Sequence, residues 1–246
     1  MTTKPLVSII IATFNAESTL DNAIDSVLKQ TYSPIELIIV DGSSTDNTIN
    51  IIKINKSDNL QYVSEKDEGI YDALNKGVKL ANGEWLLFLG ADDLIEPNGI
   101  SDLMKISLGF DIVYGNVIEL HSNGSKIKRK AKNYKTVLWS PFGCHQSILM
   151  RKHVIQKLNG FNIKYKIVAD FDLIQRAYLA KYKFKKTEDF ISIFSLSGIS
   201  SLNYKTDIEW WKICKNNSST LFPLAILIYH LLRTTKKKLK LIIYQF

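Results

Sequence analysis

Residues 84–97 read Glu84-Trp-Leu-Leu-Phe-Leu-Gly-Ala-Asp-Asp-Leu-Ile-Glu-Pro97, and the fold turns on them. Residues 85–89 form a short, unbroken, aromatic-rich apolar run, the pattern of a strand buried on both faces of a parallel sheet. Gly90 and Ala91 leave room beside the backbone, so Asp92 and Asp93 stand where that strand leaves the sheet. In open α/β sheets, ligands bind outside those carboxyl ends. Two adjacent carboxylates repel each other and are eased by a cation between or near them. Equally compatible with this stretch alone is a plain turn, in which Asp92 and Asp93 precede a helix that starts near Pro97.

The flanking sequence repeats one motif. Residues 7–12 and 35–40 are β-branched runs that end in Thr13-Phe-Asn15 and Asp41-Gly-Ser-Ser-Thr-Asp46, and residues 60–64 make a weaker strand. Between them, helical spacing places Leu20, Ala23, Ile24, Val27 and Leu28 on one face of a helix over 17–30. Ile49, Ile51 and Ile52 mark a second helix, capped by Thr45 or Asp46. Ile70, Leu74, Val78 and Leu80 mark a third over 69–80, with Asn82-Gly83 as its C-cap. Strand and helix alternate four times in the first hundred residues, which predicts a doubly wound, mostly parallel sheet flanked by helices. No G-x-G-x-x-G follows the first strand and no P-loop occurs, so a dinucleotide dehydrogenase and a P-loop NTPase are disfavoured.

After Gly109 the pattern changes. Residues 111–120 and 125–130 predict a hairpin, another strand lies within 141–150, and 184–194 is a last strand. Helices are expected over 152–158, ending at Asn159-Gly160, and over 169–180. This second part predicts a small antiparallel sheet. The domain boundaries follow: 1–203 is one domain, with halves 1–108 and 109–203, and 204–246 is a helical C-terminal tail.

Composition sets bounds. The apolar and charged fractions, 46% and 23%, are those of a globular chain. Cys144 and Cys214 belong to no CxxC or Cys/His cluster, so structural burial in a reducing compartment is expected, with the cytoplasm as the default. The net charge of +8 concentrates in two clusters, Lys126 to Lys132 and Arg233 to Lys240. No zinc-finger, helix-turn-helix or RNP pattern accompanies them, which disfavours nucleic acid as a partner. The first cluster reads as a solvated loop. The second follows the mostly apolar 221–232, too short for the roughly twenty residues that span a bilayer. Apolar residues beside clustered lysines predict a segment lying on an anionic membrane surface; the alternative is a helix packed on the domain or on a partner subunit.

Residues 7–15, Asp41-Gly-Ser-Ser-Thr-Asp46 and Phe88-Leu-Gly-Ala-Asp-Asp93 resemble, in sequence and order, glycosyltransferase family 2, inverting enzymes of the GT-A fold. The resemblance covers roughly residues 5–200. It implies a nucleotide-sugar donor, a divalent cation (Mn or Mg), and a lipid-linked or oligosaccharide acceptor in bacterial surface polysaccharide synthesis. By the same resemblance, Thr13, Asn15, Asp41 and Asp67 line the nucleotide site, Asp93 ligates the metal, and Asp92 faces the donor ribose or the metal. Residues 169–176, Ala169-Asp-Phe-Asp-Leu-Ile-Gln-Arg176, match the family's acceptor-side helix, with Asp170 as the general base. Asp172 and Arg176, at i and i+4, can hold that helix or orient the base. His145 and Gln146 fall on the acceptor-side wall, and residues 197–200 form a loop over the donor. Two of the family's acids are replaced, by Gly90 and Ala169. Those replacements keep a catalytically silent nucleotide-binding module in view. A sugar nucleotidyltransferase is less favoured, because 13–17 lacks that class's glycine-rich basic loop.

Overall fold

The computed structural model describes residues 4–138, 140–196 and 204–217. The expected strands and helices form, in the expected order: β1 (Val7–Thr13), α1 (Leu20–Leu28), β2 (Ile35–Asp41), α2 (Thr48–Ile54), β3 (Leu60–Ser64), α3 (Ile70–Leu80) and β4 (Trp85–Gly90). These four strands are parallel, in the order β3-β2-β1-β4. Alternate residues of β1 point to opposite faces, as a pleated strand requires. Val7, Ile9 and Ile11 pack with Leu20, Ile24 and Leu103, while Ile10 and Ala12 pack with Leu74, Val78 and the second half of the chain.

The second half continues the same sheet. β5 (Leu94–Ile95), α4 (Gly99–Lys105), β6 (Ile112–Leu120), β7 (Lys126–Arg129), β8 (Ile148–Arg151), α5 (Lys152–Lys157), α6 (Ala169–Leu179), β9 (Phe184–Ser195) and α7 (Tyr204–Asn217) follow. β8 adds antiparallel to β4, then β6 and β9 extend the row, and β5 pairs with β9. Thus the antiparallel strands are not a separate sheet: they complete one nine-stranded sheet. Because β5 starts four residues after β4 ends yet pairs at the far edge, the sheet curls back on itself. That curl brings the end of β9 beside the turn between β4 and β5.

Two local expectations change. Of residues 141–150, only the last few are strand, because His145–Ser147 form a 3-10 turn before β8. The third helix stops at Leu80 with an extended Ala81 as its C-cap, so Asn82-Gly83 lie beyond the cap. α7, expected to begin the tail, adds Trp210, Ile213 and Cys214 to the core, with Trp210 against the ring of Phe171. Among the described residues, no helix is long and apolar enough to cross a membrane. Trp139, the 197–200 loop and the basic and apolar 218–246 lie outside the described residues.

Candidate active site

β1, β2, β3 and β4 end at one level, with Thr13 opposite Asp41, Asp41 opposite Ser64, and Ala12 opposite Gly90. A cavity of about 840 Å³ opens above these ends. Thr13, Asn15, Asp67, Asp92, Asp93, His145, Gln146 and Asp170 all line it. Residues scattered over some 160 positions of sequence therefore meet in one place.

The nucleotide end is built by two interlocked loops. Asn15, in the left-handed region at φ 50°, donates its N–H to Ser44 Oγ and accepts from Thr45 N, both within 2.9 Å. Thr48 Oγ and Asp46 accept from the backbone of residues 16 and 17. Asp46 also accepts from Thr48 N, but the N-cap position of α2 is Asn47, one residue after the expected Asp46. Phe14, just before these pinned residues, is 61% exposed and lines the cavity. An aromatic face held open to water on a cavity wall is suited to a planar ligand group. Asp67 approaches Gly42 so closely that a Cβ there would lie 2.7 Å from its Oδ2. Asp41 is not on the wall: it is fully buried, and its carboxylate accepts from Ser44 and Ser64, tying the ends of β2 and β3 to the loop after β2.

The two acids after β4 are treated differently. Asp93 is 1% exposed, with Oδ1 accepting from Ser195 N at 2.9 Å and Oδ2 from Gln146 Nε2 at 2.6 Å. Burial pushes its carboxyl up to about 6; the Asp92 charge adds to this, and the two hydrogen bonds oppose it. Asp92 stays partly exposed on the cavity wall. Gly90 explains the missing third acid. A Cβ at position 90 would lie 2.4 Å from Asp93 Oδ2 and 3.1 Å from Asp92 Oδ1, so the Asp93 carboxylate fills the space a side chain there would need. Among the described residues, no cluster of three His, Cys, Asp or Glu could cage a metal by itself. A hard cation held by one or two carboxylates plus substrate phosphates needs no such cage, and Asp92 with Asp93 behind it fits that case.

The acceptor end centres on Asp170, in the first turn of α6. Tyr71 Oη lies 3.1 Å from its Oδ1 and 2.8 Å from Ile167 O, and His145 Nδ1 lies 3.4 Å from its Oδ2. Burial would raise the Asp170 carboxyl, but the His145 contact and charge, the Phe171 N–H and the Tyr71 hydroxyl together hold it below its usual value. Burial likewise would lower His145, and the hydrogen bond and charge of Asp170, with the charges of Asp93 and Asp92, raise it instead. Adjacent residues of a 3-10 turn point about a third of a circle apart. His145 therefore turns to Asp170 while Gln146 turns to Asp93. Glu209 of α7 accepts from the N–H groups of residues 166, 167 and 168, fixing the approach to α6.

Asp172 and Arg176 form the expected ion pair, Nε to Oδ2 2.8 Å, but neither lines the cavity. Arg176 also donates to Leu158 O and Gly160 O, and Asn217 donates to Asp172, so the pair locks α6 to its neighbours. Ala169 is fully buried in the core, where an acid would have no solvent. Phe14, Tyr71, Gly42 and Glu209 escape a sequence reading. Phe14 alone carries a signal, as the aromatic residue inside the Thr13-Phe-Asn15 strand end.

The family 2 glycosyl transferase profile matches residues 8–182. The chain belongs to glycosyltransferase family 2. A PGL/p-HBAD biosynthesis glycosyltransferase of Mycobacterium bovis is 36% identical over 184 residues, 71% of this chain and 70% of the relative. An uncharacterized glycosyltransferase of Haemophilus influenzae is 30% identical over 219 residues, 85% and 87% of the two chains. Among solved structures, S. aureus TarS in complex with UDP-GlcNAc has a TM-score of 0.71 at 19% identity, covering 92% of this chain and 71% of that one. The mannosyltransferase PcManGT of Pyrobaculum calidifontis, in complex with GDP-Man and Mn2+, has a TM-score of 0.70 at 18% identity, covering 93% and 69%. At those identities the likeness establishes the fold, which is that of GT-A glycosyltransferases. As a family 2 member the protein is a glycosyltransferase.

Proposed function

We propose that this glycosyltransferase moves a hexose, with inversion and with the help of a divalent cation, from a UDP-sugar to a lipid-linked or oligosaccharide acceptor in bacterial surface polysaccharide synthesis. One observation carries the reading: Thr13, Asn15, Asp67, Asp92, Asp93, His145, Gln146 and Asp170 converge on a single cavity at the strand ends. The UDP-GlcNAc bound by TarS and the biosynthetic role in the mycobacterial relative's name support the donor and the setting.

In this reading the nucleoside lies against Phe14, with Thr13, Asn15 and Asp67 around it. Thr13 Oγ1 is buried with no hydrogen-bond partner among the described residues, a group suited to a ligand polar atom. The diphosphate lies toward Asp92. Asp93, with both oxygens already engaged, holds the turn in shape, so we assign the direct cation contact to Asp92 rather than to Asp93. A bound Mn or Mg neutralises charge on the diphosphate as the glycosidic bond breaks. The acceptor hydroxyl enters from the α6 side, and its proton leaves toward Asp170. Attack on the face opposite the leaving group inverts the anomeric centre. The basic and apolar sequence of 221–246 supports work at the anionic cytoplasmic face of the membrane.

The test is calorimetry with UDP-, GDP-, CMP- and TDP-sugars, with and without manganese. The expected result is metal-dependent binding of a UDP-sugar, lost in Asp92→Ala. Binding only of another nucleotide would replace the donor assignment, and no binding by folded, nucleotide-free protein would overturn the donor site. NMR of the product's anomeric proton reads the stereochemistry.

A further inference from the structure

We propose that the acceptor is a sugar carrying an apolar aglycone, alkyl or aryl, joined to the same sugar whose hydroxyl attacks. The proposal rests on the transferase reading above and names the acceptor's chemical class within it.

The two halves of the chain line the cavity with different chemistry. The first half brings polar side chains, Thr13, Asn15, Asp67 and Asp92 among them. The second half brings Phe142, Ile148, Val168, Phe171, Ile174 and Trp210, which are 3% to 9% exposed. Asp170 and His145, with 27% and 31% of their side chains exposed, stand nearer the opening. The apolar wall is therefore the recessed part of the cavity, behind the acid that takes the proton. Val168, Phe171 and Ile174 recur at every third residue and form one stripe of α6 and its N-cap. The rings on this wall are not laid out as flat platforms for sugars: Phe171 and Trp210 meet edge to face, 6.0 Å apart and at 64°.

Polar side chains on this side are already engaged. His145 faces Asp170, Gln146 donates to Asp93, and Lys166 donates to Glu68 O. A further sugar ring against the apolar wall would bury hydroxyls without partners, at the full desolvation cost of each. Apolar hollows stay dry and take apolar groups, which gain from the same burial. Spacing fixes where the aglycone is attached. Ile174 lies one turn of α6 beyond Asp170, at i and i+4, where side chains are neighbours about 5–6 Å apart at Cβ. A hydroxyl at Asp170 and an apolar group at Ile174 are thus about one sugar ring apart. Such an acceptor is the product of a reaction that joins one sugar to an apolar alcohol or phenol, so a transferase of that class must act before this one.

The test is a ladder of methyl, butyl, hexyl and phenyl glycosides in gluco, galacto and manno series, titrated by calorimetry with and without UDP. Affinity should rise about three- to fourfold per methylene, roughly 10²-fold from methyl to hexyl. Interposing a second sugar between the hexyl group and the terminal hexose should erase the gain, and the phenyl arm separates an aryl from an alkyl preference. Ile174→Gln should cut the hexyl gain at least tenfold, with UDP affinity within twofold of the parent as the check on folding. A hexyl glycoside bearing a diazirine in its chain, which needs no variant, should label residues 168–174 or Trp210 on irradiation. Equal affinity for methyl and hexyl glycosides in every series would overturn the proposal, as would labelling confined to other parts of the chain. Tighter binding of an unsubstituted trisaccharide than of any hexyl glycoside would return the acceptor to the oligosaccharide class. The ladder and the labelling need no donor. Failure of every nucleotide sugar to bind would therefore overturn the transferase reading, while a flat ladder would overturn this inference and leave the donor site standing.

Discussion

Asp93 and Asp170 are the same chemical group in one cavity, and their surroundings push them in opposite directions. Asp93 is sealed under the sheet's curl, with its carboxyl pushed up to about 6 by burial despite two hydrogen bonds. Asp170 keeps 27% of its side chain exposed at a helix N-terminus, and is held below its usual value by His145, Phe171 and Tyr71. The difference separates two jobs. A sealed carboxylate with its oxygens engaged shapes a turn and presents its neighbour Asp92, whereas an exposed anion beside an imidazole supplies charge where a proton must be caught. Enzymes that need an acid pair commonly divide labour through environment in this way. Here one 3-10 turn, His145–Ser147, reaches both centres.

The largest effect that can break this division is Asp170→Asn. The amide leaves shape and packing alone but cannot take up the acceptor's proton. A kcat loss of about 10²- to 10⁴-fold is expected for loss of a general base, with calorimetric donor affinity unchanged. Retained turnover would show that Asp170 is no part of the acceptor chemistry. A matching loss of donor binding would erase the proposed separation of ends.

Gly90→Ala strikes the other centre. Its Cβ would meet Asp93 Oδ2 at 2.4 Å, so the carboxylate must leave either Gln146 or Ser195 N. Overpacking costs roughly 1–3 kcal/mol, and a displacement near 1 Å in a positioning group can cost about 10²-fold in rate. Thermal unfolding and kcat/KM read the two together. Full activity would show that the pose of Asp93 is immaterial.

Asp92→Asn should weaken donor binding in manganese by roughly 30- to 100-fold, the scale of removing one partner of a charge pair. EDTA should bring the parent protein to the same level and leave the variant nearly unaffected. If Asp93→Asn alone abolishes the metal effect, the assignments of the two acids exchange.

What the sequence makes legible is whatever is local. The strand ends at Thr13, Asp41 and Asp92 are visible because apolar runs stop abruptly at polar residues, and the alternation of strand and helix sets the parallel sheet. Asp170 is visible through its position in a family-like segment. Tyr71 is not, because its contact to Asp170 spans 99 positions and depends on how α3 meets α6 across the sheet. The same holds for Gly90: the family resemblance implies a missing acid, and only the curl that places Ser195 and Gln146 around Asp93 shows why a side chain does not fit. The ion pair of Asp172 and Arg176 is legible as a pair, by its spacing, but not as to which side of α6 it serves. Helix periodicity identifies neighbours on a helix and says nothing of what the next element will be.

The smallest effect uses a third carboxylate as a control. Glu36 lies at the amino ends of the strands, beside a smaller hollow of about 510 Å³ that it lines with Asn82. Its Oε1 accepts from Ser8 Oγ at 2.5 Å, Asn82 N at 2.6 Å and Gly83 N at 2.9 Å, and its Oε2 from Asn82 Nδ2 at 3.1 Å. Burial works to raise its carboxyl, but these donors outweigh it and the net shift is downward. A group with a depressed folded value contributes stability that is fully present above its unfolded value of 4.5 and is lost as pH falls through the lower folded value. Glu36→Gln should therefore lower Tm by a constant amount, roughly 2–4 °C for each kcal/mol lost in a chain of this size, from pH 8 down to about 5. Below that, the gap to the parent should close. Activity at saturating donor should not change. If kcat falls with Tm, the strand ends are coupled across the sheet, and the contrast between Asp93 and Asp170 must then be read as a property of the whole domain rather than of two separate sites.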